Sequence, residues 1–313
     1  MAEILGIDTS NYTTSSAVLD TDTMTFVQQK QLLPVKQGEK GIRQSDAVFH
    51  HTKQLPQMIA SVVGGRKIAA VGVSVRPRNI EGSYMPCFLV GEGTADSIGS
   101  VIGSPPDKTS HQVGHILAAL YSAGRLDLLR QDKPFIAFHV SGGTTEMLRC
   151  FPDENEVVRC ELIGASLDLK AGQLIDRTGV MLGLAFPCGP ELEKLAVGST
   201  AKYKIRPVLK GCDCCLSGVE NKCSKLFAEG AAPCDIARFC LDSVYAALRG
   251  MTLAALEKFG AHELLFAGGV MSDKLIADRL RAEFRAFFAE PALSCDNALG
   301  VALFSAFKKG YIR

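Results

Sequence analysis

At 313 residues the chain is longer than one typical domain, and 47% hydrophobic against 21% charged residues excludes a disordered polymer. Lys and Arg total 34 and Asp and Glu 33, so the net charge of +1 gives no whole-chain field toward nucleic acid or membrane. Any RNA contact therefore needs a local basic patch or a partner subunit. Met1-Ala2-Glu3 opens no secretory signal and no apolar run reaches membrane-spanning length, which predicts a cytoplasmic protein with no membrane contact.

In chain order, the apolar run Glu3 to Ile7 ends in Asp8-Thr9-Ser10 and reads as a strand, followed by strand-like runs at 15–19 and 24–27. A helix is predicted from about Ser45 to Val63, with Val48, His51, Leu55, Met58 and Ile59 on one face, and a buried strand from Ile68 to Val75. The order then restarts. Pro134 to Val140 is an apolar strand ending in Ser141-Gly142-Gly143-Thr144-Thr145, and Glu146 to Cys150 is its paired strand. Glu263 to Ala267 runs into Gly268-Gly269, a helix is predicted from about Ser272 to Phe288, and the last helix runs from Ala298 to Lys308. This is a duplicated α/β unit, read from element order alone. Residues 1–125 are expected to form an N-terminal lobe carrying the His111 helix. Residues 126–295 would form a C-terminal lobe with nucleotide-binding turns, and 296–313 a helix returning to the first lobe.

Turns such as Ser141-Gly142-Gly143 offer backbone N–H groups without bulky side chains, so a phosphate can approach closely. Gly268-Gly269 can do the same, with the positive end of the following helix behind it. No Walker-type GxxxxGK[ST] occurs, and a Gly pair after a strand is otherwise simply a tight turn.

His111 and His115 stand at i and i+4, a spacing that puts two imidazoles on one helix face where they can converge on one ion. The plain alternative is two ordinary histidines at a helix start. There is no HExxH, so the metalloprotease arrangement is absent. Asp296, in the first turn of the C-terminal helix, is the candidate third ligand and equally a candidate helix cap. Two His and one carboxylate leave coordination positions open and suit iron or zinc. The 11 cysteines read as reduced thiols in a chain without an export signal, and Cys212-Asp213-Cys214-Cys215 fits no standard metal spacing.

Ile7-Asp8-Thr9-Ser10, His111-x-x-x-His115, Val140-Ser141-Gly142-Gly143, Phe186 to Glu191, Phe266-Ala267-Gly268-Gly269-Val270 and Cys295-Asp296-Asn297 occur together in one order. In that order they resemble the catalytic subunit of tRNA threonylcarbamoyltransferase, the TsaD-like family once misnamed a glycoprotease. The resemblance implies the actin-like, hexokinase-like and Hsp70-like (ASKHA) two-lobed fold with duplicated RNase H-like domains. It implies a metal on His111, His115 and Asp296, and an adenine nucleotide or acyl-adenylate held by Ser141, Gly142, Gly143, Thr144, Gly268 and Gly269. The family's ribose-binding Asp falls on Asp176, the Gly of its Pro-Gly-Gly-Pro turn on Gly189, and an Asn after its Ala-Gly-Gly-Val turn on Asp273. Partners implied are tRNA, a smaller paralogue of the same fold docking on the N-terminal lobe, and a P-loop ATPase.

The chain departs from the family where acceptor chemistry is expected. The family reads Thr-Ser-Cys-Asp-Glu-Thr after the first strand; here it is Thr9-Ser10-Asn11-Tyr12-Thr13-Thr14, so the catalytic positions fall on Ser10, Tyr12 and Thr13 with neither carboxylate. Its Gly-Pro-Gly loop is Arg76-Pro77-Arg78, its Ser-Gly-Gly-His-Thr is Ser141 to Thr145, and its Asp-Asp pair is Asp168-Leu169. Arg76 and Arg78 could grip a phosphate or carboxylate of an acceptor or an RNA backbone, or be ordinary exposed arginines. The function expected is a metal-dependent carbamoyl-type transferase acting on an adenosine of tRNA. The alternatives are a nucleotide-binding partner without chemistry and a carbamoyltransferase with a different acceptor.

Overall fold

The computed structural model describes residues 2–10, 12–34, 42–260, 262–293 and 298–312. The chain divides into two compact units. The first comprises Met1–Lys133, Phe151–Cys160 and Ala292–Arg313, and the second Pro134–Cys150 and Glu161–Pro291.

In the first unit, β1 (Glu3–Ser10), β2 (Thr13–Asp20) and β3 (Phe26–Leu32) form an antiparallel meander. Helix α1 (Gln44–Val63) leads to β4 (Ile68–Arg76), which lies parallel to β1; α2 (Phe88–Ile102) leads to β5 (Asp107–Ser110), parallel to β4, and α3 (His111–Ser122) follows at once. The sheet order is β3-β2-β1-β4-β5. Because strand side chains alternate, β1 turns Leu5 and Ile7 into an apolar layer with Val71, Val73 and Leu55, Val62 of α1. Gly6 and Asp8 face the other way.

On that other face lies α9 (Ala298–Lys308), seated backbone to backbone. A Cβ on Gly6 would come within 2.1 Å of the Ala298 carbonyl oxygen, and one on Gly72 within 2.2 Å of that of Val301. The opposite side of α9 meets α3 equally closely: a Cβ on Gly300 would stand 1.8 Å from the Gly114 oxygen.

The second unit repeats the plan. Strand β6 (Phe135–Val140) pairs antiparallel with β7 (Thr145–Asp153), which neighbours β8 (Val157–Ala165). Helices α4 (Ala171–Met181) and α5 (Gly189–Val197), the small β9 (Val208–Lys210) and β10 (Asp213–Cys215) pair, and helices α6 (Ser217–Ala228) and α7 (Pro233–Phe259) precede β11 (Leu264–Ala267). After α8 (Lys274–Glu283) comes β12 (Ala286–Phe288), and the sheet order β12-β11-β6-β7-β8 matches that of the first sheet strand for strand. The helix expected to run to Phe288 therefore stops at Glu283, because Ala286–Phe288 adds a parallel edge to β11 and Phe288 stacks on Phe266 with centroids 5.1 Å apart. Helix α7 is apolar and long enough to cross a membrane, yet 61% of its most apolar window is buried within the protein. Its Ile236, Phe239, Leu241, Val244 and Leu248 belong to the core of this unit.

Candidate functional site

In the first unit the parallel strands β1, β4 and β5 end side by side, and their carboxyl ends supply the polar groups. Asp8, 1% exposed, accepts the Ser74 hydroxyl on one carboxylate oxygen and stands 2.9 Å from His111 Nδ1 with the other. Ser110 ends β5 and caps α3 by accepting the Val113 N–H at 3.3 Å, which starts the helix with His111 in its first turn. One turn on, His115 Nε2 faces His111 Nε2 at 2.8 Å. With the His111 Nδ1 hydrogen given to Asp8, its Nε2 carries a lone pair, so the second imidazole must present a hydrogen there. A cation at that point would instead take a lone pair from each ring, with Asp8 as the carboxylate that orients the first ligand. Asp296 lies outside the described residues, among which no group of three His, Cys, Asp or Glu is placed to hold a metal.

The turn between β1 and β2 holds the other first-unit candidates. Ser10 and Thr13 pair across the hairpin and are both buried, whereas Tyr12 is 43% exposed. The Ser10 hydroxyl is buried without a hydrogen-bond partner among the described residues. Behind the hairpin, Thr14 donates its hydroxyl to Gln54 at 2.7 Å and meets His51 Nδ1 at 2.8 Å, so the ring must donate there. Burial of this fully enclosed imidazole pushes its pKa from 6.5 down to about 4. The folded protein then holds His51 neutral while the unfolded chain protonates it below about 6.5, so its stability contribution is whole above that pH and is lost as pH falls toward 4. Relative to the parent, His51→Asn is expected to remove on the order of 2 kcal/mol of acid destabilisation, read by urea unfolding at pH 7 and pH 4.5.

Where β4 and β5 end, a cavity of about 560 Å³ opens beside the start of α3, lined among others by Arg76, Asn79, Tyr84, Gln112, Glu156 and Arg159. Arg76 Nε donates to Asn79 at 2.9 Å. Arg78 does not line the cavity; its backbone N–H donates to Ser83, closing the loop.

In the second unit the small-residue turns converge. The Ser141 N–H donates to Thr144, and the Thr144 N–H returns to the Ser141 hydroxyl at 3.2 Å. The Gly172 N–H donates to the Ser141 carbonyl at 3.2 Å, and a Cβ on Gly172 would strike the Gly142 backbone at 2.6 Å, so the turn rests on the first turn of α4. Gly268 has φ +100° with the Val140 oxygen 2.2 Å from where a Cβ would be, so β11 leaves the sheet directly beside that turn. Gly269 follows in a short 3-10 turn, and Asp273 caps α8 by accepting the Ile276 N–H. Asp176 on α4 accepts the Cys188 N–H at 2.9 Å, fixing the segment that opens into α5 at Gly189, where a Cβ would meet open space. Helix α5 reaches the other turn, since Glu193 accepts the Lys274 N–H at 2.8 Å. Burial, then the Glu193 charge, pushes the Asp273 carboxyl up to about 7, so near neutral pH it can donate as well as accept a hydrogen bond.

A family model described as tRNA N6-adenosine threonylcarbamoyltransferase matches residues 25–303. The chain belongs to that family. A relative of that name from Variovorax paradoxus is 29% identical, with 97% of this chain and 90% of the relative covered. Among solved structures, the chain is similar to component A of (R)-2-hydroxyglutaryl-CoA dehydratase from Acidaminococcus fermentans, at TM-score 0.57 and 16% identity with 99% of each chain covered. It is also similar to a ROK family glucokinase from Streptomyces griseus in complex with glucose and AMPPNP, at TM-score 0.53 and 13% identity, covering 97% of this chain and 99% of the other. These likenesses and the repeated sheet order give the hexokinase-like and actin-like fold with duplicated RNase H-like topology.

Within this family member, several departures have structural roles. Asp168 accepts the Leu216 N–H at 2.7 Å and the Ser217 hydroxyl at 2.5 Å; burial would raise its pKa, but these bonds outweigh it and hold the carboxyl low. The cysteine run alternates with the strand: Cys212 and Cys214 are buried in the core while Cys215 is half-buried. Burial pushes the Cys214 thiol up to about 11, leaving it protonated at neutral pH. Sequence reasoning overlooked Asp8 as a site residue. Its place at the end of an apolar strand was visible, but its pairing with His111, 103 positions away, was not.

Proposed function

We propose that this protein transfers a carbamoyl-type group, threonylcarbamoyl on the family's pattern, from an acyl-adenylate to an adenosine of tRNA. We propose further that His111, His115 and Asp296 hold a divalent metal. The observation that supports this most directly is the chain Ser74–Asp8–His111–His115, a carboxylate-oriented imidazole pair at the carboxyl ends of three parallel strands. A scaffold that only bound nucleotide would have no need of it. Bound there, an iron or zinc ion would supply a Lewis acid.

The reaction forms a C–N bond from the adenosine amine to the carbamoyl carbon, breaks the C–O bond to the phosphate, and releases AMP and one proton. On this reading Asp8 fixes the His111 tautomer. Backbone N–H groups of the Ser141–Thr144 and Gly268–Gly269 turns receive donor phosphate oxygens, and Asp176, Gly189 and Asp273 frame ribose and base. Arg76 replaces a small residue of the family and lines the first-unit cavity, which supports a rebuilt acceptor side.

The second reading, a nucleotide-binding paralogue without chemistry, draws support from Tyr12 and Thr13 standing where the family has carboxylates. Expression in a bacterium depleted of its own enzyme separates the two. Restored threonylcarbamoyl-adenosine in digested tRNA, measured by mass spectrometry, is expected. Soluble protein that binds adenine nucleotide yet restores none, with or without co-expressed native partners, would support the second reading.

A further inference from the structure

With a net charge of only +1, an RNA-modifying chain needs its cations gathered somewhere. No Asp or Glu occurs between Lys194 and Cys212, while Lys202, Lys204, Arg206 and Lys210 fall within that stretch. Residues 201–210 alternate half-buried and exposed without a break into β9. Tyr203, Ile205 and Leu209 turn inward against the core of the second unit. All four cations therefore lie on the outward side, in a row spanning up to about 26 Å at strand rise.

The row faces an acid only at its end, where Asp213 stands opposite Lys210 in the β9–β10 ladder. None of these four side chains makes a hydrogen bond or ion pair with a described residue. Neighbouring acids have other partners: Asp213 accepts the Ala165 N–H, Asp235 is engaged by Ser199, Asp242 by Arg238 and Arg279, and Glu220 by Arg177. Lys204 and Arg206 also rim a cavity of about 220 Å³ whose lining contains no carboxylate. Across it, Lys222 places its ammonium 4.9 Å from the Phe239 ring centre. Five cations, three of them around a recess without a carboxylate and the row broken by an acid only at Asp213 opposite Lys210, match the regular negative charge of a polynucleotide backbone.

We propose that Lys202, Lys204, Arg206, Lys210 and Lys222 form the tRNA-backbone docking surface of this chain. This rests on the tRNA acceptor of the proposed function and adds to it the surface that supplies RNA affinity. The contacts are to phosphates, so they contribute strength and salt dependence without base selectivity.

The test measures binding of an unmodified tRNA transcript to the full chain by fluorescence anisotropy, from about 50 to 200 mM salt. The variant K202Q/K204Q/R206Q is compared with K53Q/K67Q/K133Q, which removes the same charge from exposed positions of the first unit. The docking variant is expected to lose about 0.7–0.9 of log–log salt slope per cation removed and roughly tenfold or more in affinity at physiological salt, the control far less. Equal losses in both variants, or an unchanged slope in the first, would overturn the assignment. If the cations only keep the β9 edge from pairing with other chains, the variant will aggregate while its monomer binds tRNA with the parental slope, which also overturns it. Parent protein that restores modified adenosine in cells alongside such a result would leave the function standing and sink only the surface. Parent protein that binds no tRNA at low salt would sink both.

Discussion

Alanine at Gly300 is expected to cost the fold about 3 kcal/mol or more, among the largest effects of any single methyl addition in this chain. The added carbon would stand 1.8 Å from the Gly114 oxygen and 2.6 Å from its carbonyl carbon, both backbone atoms that no rotamer change can move. Helix α9 cannot retreat either, since its other side lies on Gly6 and Gly72 with equally close carbonyl contacts. The relevant control is Gly93→Ala in α2, an exposed helical position where a Cβ meets nothing within 4 Å. There alanine should stabilise by about 0.5–1 kcal/mol through helix propensity. Urea denaturation of the two variants beside the parent decides the matter: midpoints moving in opposite directions are expected. A Gly300→Ala midpoint within error of the parent would mean that α3 and α9 are not held in backbone contact.

Removing both imidazoles is the second large effect. His111→Ala with His115→Ala is expected to abolish stoichiometric divalent metal and to lower the rate of adenosine modification by at least about 10²-fold, since a Lewis acid and its ligands would be lost together. The fold should survive, because Asp8 keeps the Ser74 hydroxyl and α3 keeps its Ser110 cap. Metal content by plasma mass spectrometry and modified adenosine in tRNA are separate readouts. Retained metal at full occupancy would move attention to other ligands. Unchanged modification would remove the imidazole pair from the reaction altogether.

The parts of this protein legible in its sequence are those written in local pattern. His111 and His115 announce themselves by helical spacing, and the Ser141-Gly142-Gly143 and Gly268-Gly269 turns by small residues after apolar strands. The restart of the strand order at Pro134 pointed to a duplicated unit, and the matching sheet orders bear that out. What escaped depends on partners distant in the chain. Phe284 to Phe288 continues a helical pattern locally, and only the free edge of β11 and the Phe266 ring draw it into a strand. Asp8 reads as one more polar residue ending a strand until His111 arrives beside it. Gly114 and Gly300 look like weak points in two helices, while their purpose is mutual contact. Asp176 and Asp273, read from a family likeness as ligand contacts, also hold the Cys188 N–H and cap α8, structural duties that a motif does not reveal.

The seating of α9 also bears on the order in which the protein assembles. The second unit is nearly continuous in sequence, whereas the first is built from three separated stretches. Gly6 meets its helix partner at Ala298, about 290 residues downstream, so the loop to be closed is almost the whole chain. A contact of that sequence separation is of the kind that slows folding, whereas the second unit closes on nearer neighbours. Helix α3 and β1 are both clasped by α9, so a chain lacking it leaves one side of each uncovered. Truncation before Ala298 is thus expected to spare the second unit and to uncover the faces of β1 and α3 that carry Gly6 and Gly114.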